Sequence, residues 1–142
     1  IDNARRRFPD VDFRVGSVLA VGLPDATADL VVASDILEHL SIAAMEQTLT
    51  EAIRLTRDGL IINFFNMADI AEHVVASRGL YQWNRLSRAR VEALLTSAFP
   101  SVEVVSIPRW LVATYDHPHT YNTHAWTIAA GRQSNRITNS AV

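Results

Sequence analysis

Two short apolar runs on either side of one amphipathic segment constrain this chain more than anything else in it. The first run, DLVVAS (29–34), is continuous and rich in β-branched residues. A strand with no polar alternation is the kind that is covered on both faces. The second run, LIINFF (60–65), has the same character. Between them, Ser41 is placed to cap a helix through Thr56 with Ile42, Met45, Leu49, Ala52 and Ile53 on its apolar face. Asp58-Gly59 makes the turn into the second run. Strand, covering helix and strand form the unit of an open parallel α/β sheet.

The flanking segments extend this pattern. Residues 1–8 read as the end of a helix stopped by Pro9. VDFRVGSV (11–18) alternates Val11, Phe13 and Val15 against Asp12 and Arg14, the pattern of a half-buried strand closed by Gly16. Residues 68–78 are expected to form a short helix with Ile70, Val74 and Val75 on its core side. Ser87 caps a further helix carrying Val91, Leu94, Leu95, Ala98 and Phe99, which Pro100 ends. VEVVSI (102–107) is a strand, and residues 108–121 are expected to be a loop rich in aromatics and histidine. THAWTIAAG (123–131) is a last strand. The short connection before it leaves no room for a crossover, so it should run antiparallel to the others. The polar tail from Arg132 is expected to fray.

Composition excludes several chemistries. The 142 residues suit one domain, and 49% hydrophobic content is enough for a core. There is no cysteine, hence no disulfide, thiolate metal site or cysteine nucleophile. All 13 basic residues are arginine, which excludes a Schiff-base or P-loop lysine. A net charge of −2 gives no basis for nucleic-acid binding. The apolar runs are too short to span a membrane, and Phe8-Pro9-Asp10 follows the first arginines where a signal peptide would be apolar. A cytoplasmic protein is expected.

The end of the first run carries the chemistry. In VVASDILEHL (31–40), Asp35, Glu38 and His39 stand at i, i+3 and i+4. If the chain turns helical after Ser34, they share one face at the strand's carboxyl end, where open α/β sheets bind ligands. Three readings stay open. The groups hold a divalent metal. Alternatively His39 is a general base oriented by Glu38 or Asp35. Or the carboxylates merely favour a helix N-terminus and His39 is packed.

The ordered set of pieces resembles the class I S-adenosylmethionine-dependent methyltransferases. RRRFPDVDFRVGSVLAVGLPDATADLVVASDILEHL looks like that family's segment from its second helix to the end of its fourth strand. AIRLTRDGLIINFFN, LSRARVEALLTSAFPSVEVVSI and HAWTIAAGR resemble the pieces that follow. The resemblance implies an α/β, Rossmann-like sheet, mostly parallel with an antiparallel last strand. It implies S-adenosylmethionine as cofactor, with Ser17 and Val18 along the adenine and the stretch from Ala33 through Ser34, Asp35 and Leu37 at the methionine end. It makes His39 and Glu38 the catalytic candidates. D-x-x-E-H is also similar to the E-x-x-E-H of two metal-assisted methyltransferase groups.

The chain departs from the family in two places. A serine stands at Ser17 where the family usually has an acidic residue. The glycines at 16, 22, 59, 79 and 131 never form the family's G-x-G loop. By the resemblance, residues 1–132 are a partial methyltransferase domain lacking its N-terminal strands, and 133–142 are a polar tail. Residues 1–20 would then be displaced, swapped with a second copy in a homodimer, or completed by further chain. This piece alone should bind S-adenosylmethionine weakly or not at all.

The expected activity is methyl transfer to a hydroxyl or amine of a small molecule in a bacterial cytoplasm. The alternative is a non-catalytic domain that keeps the sheet, and a nicotinamide-dependent dehydrogenase ranks last. Tyr81, Trp83 and His73 are candidates to line an aromatic acceptor pocket. His117, His119 and His124 form a histidine-rich loop, more in keeping with an edge loop than with a closed metal site. Arg85, Arg88 and Arg90 read as solvated.

Overall fold

The structure, a computed structural model, describes residues 1–119 and 122–132. The tail expected to fray lies outside the described residues from 133 onward. The elements in chain order are α1 (Asp2–Arg7), β1 (Ala28–Ser34), a 3-10 turn (Leu37–His39), α2 (Ile42–Leu55) and β2 (Thr56–Phe64). Four two-residue strands follow, β3 (Met67–Ala68), β4 (Ser77–Arg78), β5 (Tyr81–Gln82) and β6 (Leu86–Ser87). The chain continues with α3 (Arg88–Thr96), β7 (Ser101–Ser106), α4 (Ile107–Tyr115) and β8 (Trp126–Gly131).

The main sheet has the order β1-β2-β8-β7. β1 and β2 are parallel, and β8 runs antiparallel to both of its neighbours. Three strands therefore point one way and the last points back, as the sequence implied. Register builds the core as rows across the strands. Val31 pairs with Leu60, Leu60 with Ala130, and Ala130 with Val102. Ala33, Ile62, Ile128 and Val104 form the next row. Side chains in such rows share one sheet face. Met45, Leu49 and Ala52 of α2 and Val91 and Leu95 of α3 close that face into one cluster. Both helices start where a serine was expected to cap them. The Ser41 hydroxyl accepts from the Ala44 N–H, and the Ser87 hydroxyl from the Arg90 N–H.

Five expectations need correction. Asp58 and Gly59 form no turn before the second run but lie within β2, where Gly59 pairs with Leu30 and with Gly131. β1 is covered on one face only: Leu30 is 53% and Val32 58% exposed. Residues 11–16 form no strand, and Val15 is 83% exposed. They pair with neither edge strand of the main sheet, β1 or β7, and the bridge nearby is the local one between Ser17 and Ala20. Residues 68–78 are not a helix. Val74 and Val75 are exposed, and the segment is held by short bridges and side-chain bonds to backbone, among them Ser87 Oγ to the Ile70 carbonyl at 2.6 Å. Finally, the 108–121 connection contains α4. Ser106 precedes it and Pro108 sits in its first turn, a start signal that the aromatic composition concealed.

The loop before β1 is tied to α2 through its exposed side. The Arg54 guanidinium bonds the Glu51 carboxylate, Asp25 and the Leu23 carbonyl. Glu51 also accepts from the Val21 N–H at 2.8 Å.

Candidate active site

The carboxyl ends of β1 and β2 open onto two cavities of about 570 Å³ each. Asp35, Phe65 and Asn122 line both, so the cavities meet across those three residues. The floor of the first follows from register. Ser34 pairs with Asn63 and Asn63 with Thr127, on the sheet face opposite the core rows. Thr127 Oγ1 donates to Asn63 Oδ1 at 2.9 Å, and Asn63 Nδ2 reaches Ser34 Oγ at 3.4 Å. This polar row was not anticipated from sequence. Its one visible signal is Asn63, the polar residue inside LIINFF. Ile107 and Leu111 of α4, and His117 and His119 after it, line the same cavity.

The second cavity lies between the 3-10 turn and the segment after β2. Asp35, Glu38, His39, Phe65 and Trp83 are on its wall, with His124. Asp35 is not part of a helix. Its φ of 55° puts it in the left-handed region, which a non-glycine residue occupies under strain. Asp35 therefore lies outside the 3-10 turn that holds Glu38 and His39, and the i, i+3, i+4 argument does not hold. Glu38 is fully buried. Its Oε1 accepts from the Phe65 N–H at 3.2 Å, and its Oε2 has no hydrogen-bond partner among the described residues. Leu37 is 1% exposed and belongs to the core.

His39 is held by backbone, not by the acids expected to orient it. Its Nδ1 lies 3.0 Å from the Gln82 carbonyl. A carbonyl can only accept, so Nδ1 carries the proton and Nε2 is left as the accepting nitrogen of the neutral ring. The Tyr81 and Trp83 rings flank it, with centroids at 5.9 and 5.1 Å. Asn84 fixes this arrangement. It is fully buried, its N–H donates to the Glu38 carbonyl, and its Nδ2 donates to the Leu40 carbonyl at 2.7 Å and to Gln82 Oε1 at 3.1 Å. Its Oδ1 accepts from the Ala76 N–H. Asn84 thus bonds on both sides of His39 and to the residue that orients it.

The other sequence candidates lie elsewhere. Ser17 and Val18 are in the exposed loop before β1 and line neither strand-end cavity; Ser17 Oγ accepts from the Leu19 N–H. His73 is also apart from them. Its Nδ1 accepts from the Ser87 N–H, and burial, reinforced by Arg90, lowers its pKa. Arg88 pairs with Asp69 and Glu92, and Arg90 with Glu72. Among the described residues no three histidine or acidic groups gather in a way that would hold a metal ion. No helix among them is long and apolar enough to cross a membrane.

Comparison with known proteins accounts for this architecture. Residues 1–63 match the family model described as a methyltransferase domain. A stretch of 59 residues is 39% identical to a protein of Mycolicibacterium smegmatis described as a probable S-adenosylmethionine-dependent methyltransferase, covering 42% of this chain and 22% of that protein. The fold is shared with the 1,6-didemethyltoxoflavin-N1-methyltransferase of Burkholderia thailandensis, solved with 1,6-didemethyltoxoflavin and S-adenosylhomocysteine bound. That match has a TM-score of 0.62 at 18% identity, over 92% of this chain and 54% of that one. An S-adenosylmethionine-dependent methyltransferase of Mesorhizobium loti gives a TM-score of 0.63 at 14% identity, over 92% of this chain and 75% of that one. The chain therefore has a Rossmann-like methyltransferase fold. In sequence the likeness to methyltransferases lies within the first 63 residues, and the chain spans only part of the length of these relatives, 22% of the Mycolicibacterium protein and 54% of the Burkholderia one.

Proposed function

We propose that the strand-end site transfers a methyl group from S-adenosylmethionine to a hydroxyl or amine of a small molecule, with His39 taking the acceptor's proton. The observation that carries this reading is the His39–Gln82 hydrogen bond, which makes Nε2 the ring's proton-accepting nitrogen on the wall of a cavity at the strand ends. Ser34 and Asp35 suit the methionine end of the cofactor, since both line the first cavity beside the polar row. The cofactor, when bound, supplies a methyl carbon made electrophilic by its sulfonium. The chain's own contribution is alignment and proton removal, the two tasks an in-line displacement needs. No residue here is assigned to the ribose, because no G-x-G loop is present in these residues. No three histidine or acidic groups among the described residues are arranged to hold a metal ion, so none is invoked.

A small acceptor fits better than RNA because no arginine lines either cavity among the described residues. The Burkholderia neighbour, solved with 1,6-didemethyltoxoflavin bound, supports the same choice. His39→Gln in the polypeptide as its organism makes it is the test. Methyl transfer should fall by about 10²- to 10⁴-fold while S-adenosylhomocysteine binding holds. Unchanged transfer overturns the role of His39. A native polypeptide that binds no S-adenosylhomocysteine supports the non-catalytic alternative.

A further inference from the structure

We propose that the cavity between the Leu37–His39 turn and the segment after β2 takes an amine, because Asp35 and Glu38 line it together with Phe65 and Trp83. The proposal rests on the methyl-transfer reading above and chooses nitrogen over oxygen as the acceptor atom. Glu38 is 0% exposed, and only one of its oxygens has a partner among the described residues. A buried carboxyl oxygen without a partner calls for an N–H or O–H donor. Asp35 adds a second carboxylate to the same wall, and no arginine answers it there among the described residues. The Arg78 guanidinium stacks on the Trp83 ring, 6.0 Å from its centroid, but is not on the cavity wall. Aromatic faces next to carboxylates hold cations.

Charge development decides between nitrogen and oxygen. A hydroxyl becomes a good nucleophile as its proton leaves, so negative charge grows on oxygen next to two carboxylates. An amine binds as its ammonium ion. His39 takes one proton and frees the lone pair. The N–C bond then forms as the S–C bond breaks, and the breaking pair stays on sulfur. Positive charge moves onto nitrogen, and the product leaves as the methylammonium ion with the displaced proton on His39. The carboxylates oppose the first course, whereas they hold the cation that the second course binds and the cation that it forms.

The test is a tryptophan fluorescence titration of the native polypeptide at neutral pH with benzylamine, benzyl alcohol and benzoate. Trp83→Phe identifies the signal among the three tryptophans. Benzylamine should bind about tenfold more tightly than the uncharged alcohol, and benzoate least. Glu38→Gln should lower amine affinity by about tenfold and leave the alcohol unchanged. Asp35→Asn, at an exposed residue, should move the amine in the same direction, and it decides alone if Glu38→Gln does not fold by circular dichroism. Alcohol or benzoate binding as tightly as the amine, an amine affinity indifferent to the carboxylates, or no saturable binding of any probe overturns the proposal. A thermal shift with S-adenosylhomocysteine separates the two layers. Cofactor-product binding without amine preference removes this inference and leaves methyl transfer standing. Absence of that binding removes the methyl-transfer reading whatever the amine result.

Discussion

Asn84→Ala should loosen the turn that carries His39 and destabilise the fold measurably. Asn84 is 0% exposed, and its side chain makes three hydrogen bonds, to the Leu40 carbonyl, Gln82 Oε1 and the Ala76 N–H. A typical intramolecular hydrogen bond contributes about 1 kcal/mol net, and a buried group left without its partner costs about 1–3 kcal/mol. Part of the exposed polar surface will rehydrate, so the sum is roughly 2–4 kcal/mol. For a domain of this size that is a fall in Tm of about 5–12 °C. The same change frees Gln82 and Leu40, so the Nδ1–H form of His39 should give way to a mixture of tautomers. A thermal melt reads the first effect, and long-range ¹H–¹⁵N NMR of the imidazole, assigned with His39→Gln, reads the second without any substrate. A melt within about 1 °C of wild type with an unchanged His39 pattern would refute the claim that Asn84 positions the ring.

Further expectations concern strain and pH. At Asp35, with φ at 55°, alanine should be less stable than glycine by about 1 kcal/mol, read by urea denaturation; equal stability would contradict a left-handed backbone there. The Arg54 guanidinium and the Val21 N–H hold the Glu51 carboxyl down to about 2. A carboxyl lowered in the folded state stabilises above its unfolded value and loses that contribution as pH falls through the folded one. Docking of the loop before β1 onto α2 should therefore be intact at neutral pH and weaken below about pH 4, toward pH 2, with Glu51→Gln removing the pH dependence. Amide exchange at residues 21–26 measures it.

What the sequence makes legible here is local or periodic. The β1–α2–β2 unit follows from two unbroken apolar runs around one amphipathic segment. The Ser41 and Ser87 caps follow from residue type; the reversed β8 was expected from a connection without a helix, and it runs antiparallel although α4 stands in that connection. A change of character at the end of β1, where two cavities open, was legible for the same reason: polarity begins abruptly at Ser34 and Asp35. Long-range features were not. Ser34, Asn63 and Thr127 join only through register across three strands. Gln82 orients His39 through its carbonyl, a group every residue possesses and no residue type announces. Residues 11–16 alternate like a strand, yet a pattern of period two forms a strand only beside an edge that will pair with it. Residues 68–78 have an apolar stripe at helical spacing, but side-chain bonds to backbone compete for the same groups.

The most direct measurement is hydrogen–deuterium exchange of the native polypeptide with and without S-adenosylhomocysteine. The account predicts slowed exchange concentrated at residues 33–39, the end of β1 and the turn bearing His39. Absence of binding, or protection confined to other parts of the chain, would contradict a methyltransferase site at the strand ends.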